Sequence, residues 1–141
     1  MKKQKIRKVF DYLQLACLFI SALLLLWARF NGDILLQIRH LIGLILLFVP
    51  LTLFSVGHKF GVLATALVIL IGLFGGLSFS PAITTTTFGK TWGGTQITLF
   101  YFQPIFLVWA TIHFILSGRF YTGILSRLYW TNIKSDEPLK I

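Results

Sequence analysis

The 141-residue chain contains little charge, few acidic residues and a single cysteine. Charged residues make up 12% of the sequence, against about 25% in soluble domains. Hydrophobic residues reach 56%, so neither a water-soluble globule nor a disordered chain fits this composition. Cys17 cannot form an internal disulfide, and we expect it to be buried and inert.

The scarcity of polar residues also excludes several kinds of chemistry. All four acids are predicted to lie at or beyond the ends of the apolar runs, so we do not expect a proton-driven pump with a carboxylate in the membrane. No grouping of nucleophile, base and acid predicts a hydrolase. No cluster of histidine, cysteine and carboxylates predicts a metal site. The acids are Asp11, Asp33, Asp136 and Glu137.

Four long apolar runs dominate the sequence. They cover about residues 12–28, 34–56, 62–79 and 99–116. Each is long enough for an α-helix that crosses the hydrocarbon core of a bilayer. The sequence therefore predicts an all-α integral membrane protein, with a four-transmembrane-helix antiparallel bundle that forms a single domain over residues 1–141.

The segments between and after these runs have their own patterns. The Asn31-Gly32 pair predicts a tight turn between the first two spans. Residues 80–98 are predicted to form one long outer loop. Residues 119–130 mix arginine and aromatic residues with apolar ones, which predicts a short cytoplasmic interfacial helix. A soluble tail is expected over 134–141.

Lysine and arginine are distributed unevenly around the predicted spans. Four spans place both termini on one side of the membrane, and the opposite side carries Arg29, Arg39 and Lys90. Because cytoplasmic segments are enriched in cations, both termini are predicted to be cytoplasmic, in what we take to be a bacterial cytoplasmic membrane. The net charge of +9 predicts contacts with anionic lipid head groups, not with nucleic acid. The terminal side carries Lys2, Lys3, Lys5, Arg7, Lys8, Lys59, Arg119, Arg127, Lys134 and Lys140.

Small residues recur every four positions near the end of the third run, at Gly72, Gly76 and Ser80. On a helix such residues share one face and let two backbones approach closely. We favour helix packing inside the monomer as their role, with the interface of a homo-oligomer as the alternative.

The histidines are the remaining candidates for binding. His40 lies about two turns into the second span, at the depth predicted for Gln103 at the outer start of the fourth. His58 lies in a connector and is expected to be solvated, and His113 is expected to hydrogen-bond to a neighbouring helix. His40 and His113 differ in depth by about 13 Å, so no pair of histidines is predicted to hold one haem.

The segment Arg39–Gly43, Arg-His-Leu-Ile-Gly, resembles the His-x-x-Gly signature of small four-helix b-type-cytochrome-like membrane proteins. In several of those families a second histidine, followed by a small residue or proline, opens the fourth span. Here that position is Gln103, followed by Pro104, and glutamine is a poor haem ligand. The resemblance covers about residues 10–118 and implies a four-helix bundle in which His40 and Gln103 bind haem b or a quinone. The alternative is that His40 forms hydrogen bonds at the head-group level.

Three functions are consistent with the sequence. The leading hypothesis is a non-enzymatic accessory or interaction protein with a membrane protein partner, because no reactive grouping accompanies the spans. The second is an electron-transfer or quinone-binding subunit, which would use His40 and Gln103. The third is an oligomeric pore or carrier, suggested by Gly72, Gly76 and Ser80 together with the polar outer loop.

Overall fold

The structure, a computed structural model, describes residues 2–33, 35–80, 86–92, 95–131 and 133. Within them the side chains of residues 9–33, 35–80, 102–131 and 133 are described. The elements in chain order are α1 (Lys2–Phe30), α2 (Ile38–Val56), α3 (His58–Leu73), β1 (Thr86–Trp92), β2 (Thr95–Phe102), α4 (Pro104–Ser117), a 3₁₀ turn (Gly118–Phe120) and α5 (Arg127–Thr131).

Two of these helices are long and apolar enough to cross a membrane, judged by length and composition. They are the segment Val9–Phe30 of α1, with a mean hydropathy of 2.1, and α2, with a mean hydropathy of 1.9. α3 and α4 are apolar but shorter. The helical framework that the sequence predicts is therefore present, and the crossing of the membrane by all four helices stays a prediction.

The segment predicted to be an outer loop over 80–98 differs from that prediction and from the all-α prediction, because it contains part of a β-hairpin. β1 and β2 pair antiparallel, from Thr86 opposite Phe102 to Trp92 opposite Thr95. Both strands are rich in threonine and aromatic residues, which favour a pleated surface. The predicted fourth span therefore begins as strand, and α4 begins only at Pro104, a residue suited to the first turn of a helix.

α3 ends at Leu73, before the predicted end of the third span at residue 79. The chain turns at Gly75, whose φ of +76° is a conformation that glycine adopts without strain. It then continues as non-helical chain to Ser80. Gly76 and Ser80 consequently lie beyond the helix and do not share a helical face with Gly72, which corrects the predicted stripe.

Close packing of α3 on α4 nevertheless depends on Gly72. A Cβ atom at this position would lie 2.2 Å from Cε1 of Phe106, which is buried on α4. Gly72 therefore leaves room for the Phe106 ring between α3 and α4. Cys17, by contrast, is half-buried and not fully buried as predicted. The core around this contact includes Leu18, Val68, Ile69, Leu77, Phe79, Phe106 and Ala110.

The predicted interfacial helix over 119–130 is replaced by shorter elements. The 3₁₀ turn after α4 leads into a series of turns in which Gly123 has a φ of +77°, and the five-residue helix α5 follows. Tyr129 of α5 is fully buried and lies 5.5 Å from Nζ of Lys59, measured to its ring centroid. This segment therefore packs against the start of α3. The predicted tail over 134–141 lies outside the described residues.

Candidate functional site

Asp11 of α1 is only 3% exposed and lies at the centre of a buried group of polar side chains. Its Oδ1 accepts a hydrogen bond from Oγ of Ser117 at 2.6 Å. Its Oδ2 accepts one from Nη2 of Arg119 at 2.8 Å and is 2.9 Å from Nε2 of His58. Because a carboxylate only accepts hydrogen bonds, Nε2 of His58 carries the proton. Residues from α1, α3, α4 and the 3₁₀ turn thus meet at one carboxyl group.

Gln14, one helical turn after Asp11, forms a second layer of polar contacts. Its Oε1 accepts a hydrogen bond from Nδ1 of His113 at 2.6 Å, and its Nε2 donates to the carbonyl oxygen of Trp109 at 3.0 Å. The Tyr121 hydroxyl donates to Nε2 of His113, since Nδ1 already carries the proton of a neutral ring. The prediction that His113 hydrogen-bonds to a neighbouring helix is confirmed.

The two layers follow from the spacing of polar residues on antiparallel helices. Asp11 and Gln14 are three residues apart on α1, and His113 and Ser117 are four residues apart on α4, so each pair lies on one helix face. Asp11 bonds to Ser117 and Gln14 bonds to His113, so the two faces match in register. Together with His58, Arg119 and Tyr121, these four residues form what we call the Asp11 cluster.

Sequence reasoning missed this cluster because it did not predict the burial of two of its members. Asp11 was predicted to lie at or beyond the end of a span, and the apolar segment Val9–Phe30 does begin two residues before it, but the carboxylate is buried. His58 was predicted to be solvated, but it is 3% exposed. The available signal was the three- and four-residue spacing of polar residues within two apolar helices.

His58 lies among aromatic rings and connects α3 to α1. Its ring centroid is 5.4 Å from those of Tyr12 and Phe54 and 5.2 Å from that of Phe120. Among the described residues, its Nδ1 is a buried atom with no hydrogen-bond partner. The ring is therefore held by its contacts with these three aromatic rings and by its Nε2 bond to Asp11.

The predicted cofactor residues, His40 and Gln103, both bind the backbone of the segment 77–80. Nδ1 of His40 accepts from the backbone N–H of Gln37 at 3.0 Å, so its Nε2 carries the proton and donates to the carbonyl oxygen of Ser80 at 3.0 Å. Nε2 of Gln103 donates to the carbonyl oxygen of Leu77 at 2.8 Å. The structure therefore brings both residues to one segment of chain.

These contacts account for the Arg39–Gly43 segment without a cofactor. The backbone N–H of Ser78 donates to the carbonyl oxygen of Arg39 at 3.1 Å. A Cβ at Gly43 would lie 3.0 Å from the carbonyl oxygen of Ser78, so glycine allows the chain to pass close to α2. Haem iron would need a ring nitrogen of His40, and both nitrogens are hydrogen-bonded within the protein. The geometry favours the hydrogen-bonding alternative, and haem or quinone binding stays a prediction.

No family model, curated protein or solved structure matches this chain. The resemblance to b-type-cytochrome-like proteins therefore rests on Arg39–Gly43 and on the helix count alone. Within the described part of the chain, no group of three or more histidine, cysteine or acidic residues could hold a metal ion. The Asp11 cluster is the best-defined polar site among these residues.

Replacing His40 with alanine is expected to loosen the segment 77–80 and to leave the visible spectrum unchanged. The lost buried hydrogen bond is worth about 1.4 kcal/mol, so the equilibrium constant for local opening of this segment should rise about tenfold. The measurement is the labelling rate of a cysteine placed at Phe79, in a Cys17→Ser background, together with a reduced-minus-oxidised spectrum. Thr52→Ala is the matched control, because the Thr52 hydroxyl bonds only within α2. A haem band that disappears with His40→Ala would contradict this expectation.

Proposed function

We propose that this chain is a non-enzymatic accessory or interaction protein, integrated in the bacterial cytoplasmic membrane by four helices with both termini in the cytoplasm. The observation that carries the proposal is the separation of polar and apolar surface. The polar side chains of the Asp11 cluster bond to one another, while the two long apolar helices, α1 and α2, are less than half buried. Only 33% of the apolar window in α1 and 22% of that in α2 are buried. Exposure of such apolar faces to water is unfavourable, whereas lipid or another membrane protein would cover them.

The shorter helices support the third and fourth crossings. α3 has 16 residues, about 24 Å of helix. The non-helical segment 74–80 extends it, and within this segment residues 77–79 are buried. Such chain is tolerated at membrane depth only where protein satisfies its polar groups. Here Arg39, His40 and Gln103 bind its backbone. The fourth crossing would be the apolar segment Pro104–Phe120.

The proposed interaction role is supported by what the polar side chains bind. Asp11, Gln14 and His113 are engaged by residues of the same chain, so they join helices and do not face a substrate. Among the described residues, the exposed part of α1 and α2 is largely apolar. On α2 it includes Ile45, which is 69% exposed, and Phe48. A membrane protein partner of matching apolar character is the proposed ligand of this face.

Photo-crosslinking from α2 tests the proposal. We expect the protein to stay in the membrane after an alkaline carbonate wash. A photoreactive residue in place of Ile45 should then give a discrete adduct with a second membrane protein. The same residue in place of Leu47, which is 3% exposed, is the matched control and should give no such adduct.

Each other outcome of that experiment contradicts one part of the proposal. Release of the protein by carbonate would contradict membrane integration. Adducts of lipid size alone from Ile45 would contradict the interaction role. An adduct of two copies of this chain would instead favour the oligomeric pore or carrier.

A further inference from the structure

A groove lies between the start of α1 and the end of α4, beside the Asp11 cluster. Its described lining is Phe10, Ile115, Leu116 and Arg119, and its volume is about 320 Å³. The groove opens outward, since Phe10 is 43% exposed and Ile115 is 77% exposed. We call it the Arg119 groove. It combines one cation with an apolar wall.

Arg119 has hydrogen-bonding capacity left over for this groove. Its Nη2 donates to Oδ2 of Asp11, and its side chain is still 22% exposed. A guanidinium group has five N–H donors in a planar fork, so one bond to Asp11 leaves donors for a second anion. The Asp11 carboxylate accepts hydrogen bonds from Ser117 and His58 as well as from Arg119, so Arg119 is one of three donors to it.

The sequence around the groove strengthens the attraction for an anion. Five cations and no acid precede Asp11 in the chain, and the net charge is +9. Arg7 comes three positions before Phe10 on α1, which is nearly one helical turn. The predicted cytoplasmic position of this end faces the leaflet that carries anionic lipids. Charge and position therefore favour the same class of ligand.

We propose that the Arg119 groove binds one anionic phospholipid. The lipid phosphate accepts hydrogen bonds from the guanidinium of Arg119, a pairing that arginine makes in a bidentate geometry. An acyl chain lies along Phe10 and Ile115, whose exposed apolar surface it covers. This inference rests on the proposed membrane location. A zwitterionic lipid offers the same phosphate with a cation attached, so the basic surroundings disfavour it.

Native mass spectrometry of the full chain, released from nanodiscs with equal amounts of phosphatidylglycerol and phosphatidylcholine, tests the proposal. We expect one retained phosphatidylglycerol, preferred about tenfold over phosphatidylcholine. The double variant Asp11→Asn/Arg119→Gln should lose this preference, and it avoids leaving Asp11 as a buried unpaired charge. Asp11→Asn alone should keep the preference, because it leaves Arg119 in place. Arg127→Gln is the matched control, an exposed cation that is absent from the described groove lining.

The other outcomes separate this inference from the proposed function. Equal retention of the two lipids, or an unchanged preference in the double variant, would overturn the groove proposal alone. A protein that does not enter nanodiscs would contradict membrane integration itself. If glycerol phosphate competes as strongly as the lipid, the groove binds phosphate without selecting a lipid, and the lipid proposal is overturned.

Discussion

Replacing Asp11 with leucine is expected to lower the free energy of unfolding by about 3–5 kcal/mol, the cost of removing one partner of a buried ion pair. The variant leaves Arg119 without its counter-charge. It also leaves the Ser117 hydroxyl and Nε2 of His58 without their acceptor. Reversible unfolding in mixed micelles, followed by circular dichroism, measures the change.

Two further variants give this experiment its controls. Asp33→Asn changes an exposed acid in the turn after α1 and should alter stability by less than about 0.5 kcal/mol. Asp11→Asn keeps the shape of the side chain but offers fewer acceptor sites, so its loss should be intermediate. An Asp11→Leu protein as stable as the unmodified chain would show that the Asp11 cluster does not hold the bundle together.

The Asp11 prediction bears on function as well as on stability. Ionisable residues within membrane helices are costly, and they mark either a functional pathway or a paired structural contact. The cluster connects α1, α3 and α4 through at least one side chain of each, and its carboxylate accepts three hydrogen bonds. A large loss of stability after Asp11→Leu would support the structural contact, which is the role the proposed function assigns to it.

Replacing Gly72 with valine is expected to lower the free energy of unfolding by about 3 kcal/mol, at the upper end of the cost of overpacking. The new Cβ would lie 2.2 Å from Cε1 of Phe106, and the two γ-methyl groups of valine add further volume at the same point. α3 and α4 would have to separate. Thermal unfolding in a fixed detergent measures the loss.

A second substitution and a control isolate the cause of this loss. Phe106→Ala in the Gly72→Val background should recover part of the stability, because it removes the ring that the valine meets. Gly118→Ala should be nearly neutral, since no heavy atom lies within 4 Å of a Cβ there. Additive effects of Gly72→Val and Phe106→Ala would contradict direct contact between α3 and α4 at this point.

Several features could be predicted because they depend on residues close together in the chain. The Asn31-Gly32 turn is present, with a φ of +81° at Gly32. Each of the four apolar runs overlaps one of the helices α1 to α4, since continuous apolar sequence favours a helix, which satisfies its own backbone hydrogen bonds. His113 was predicted to hydrogen-bond to a neighbouring helix because a histidine inside an apolar run needs a partner.

The end of α3 and the β-hairpin required the tertiary structure. Residues 74–79 and 99–102 are apolar and were predicted to be helical by hydropathy alone. Residues 74–76 of the first segment form a turn instead, and the non-helical chain that follows is held by Arg39, His40 and Gln103. The second pairs with β1. Hydropathy reports only the preferred environment of a residue, whereas the choice between helix and extended chain depends on which backbone partners are within reach.

The apolar, basic and helical character of this chain can be read from local composition, because those properties are sums over neighbouring residues. The burial of Asp11 and its contact with His58 exist only in the folded chain. The contacts of Asp11 with Ser117 and Arg119 join residues more than 100 positions apart. They form because α1 and α4 pack antiparallel in one register, and a register is set by the packing of whole helix faces against each other.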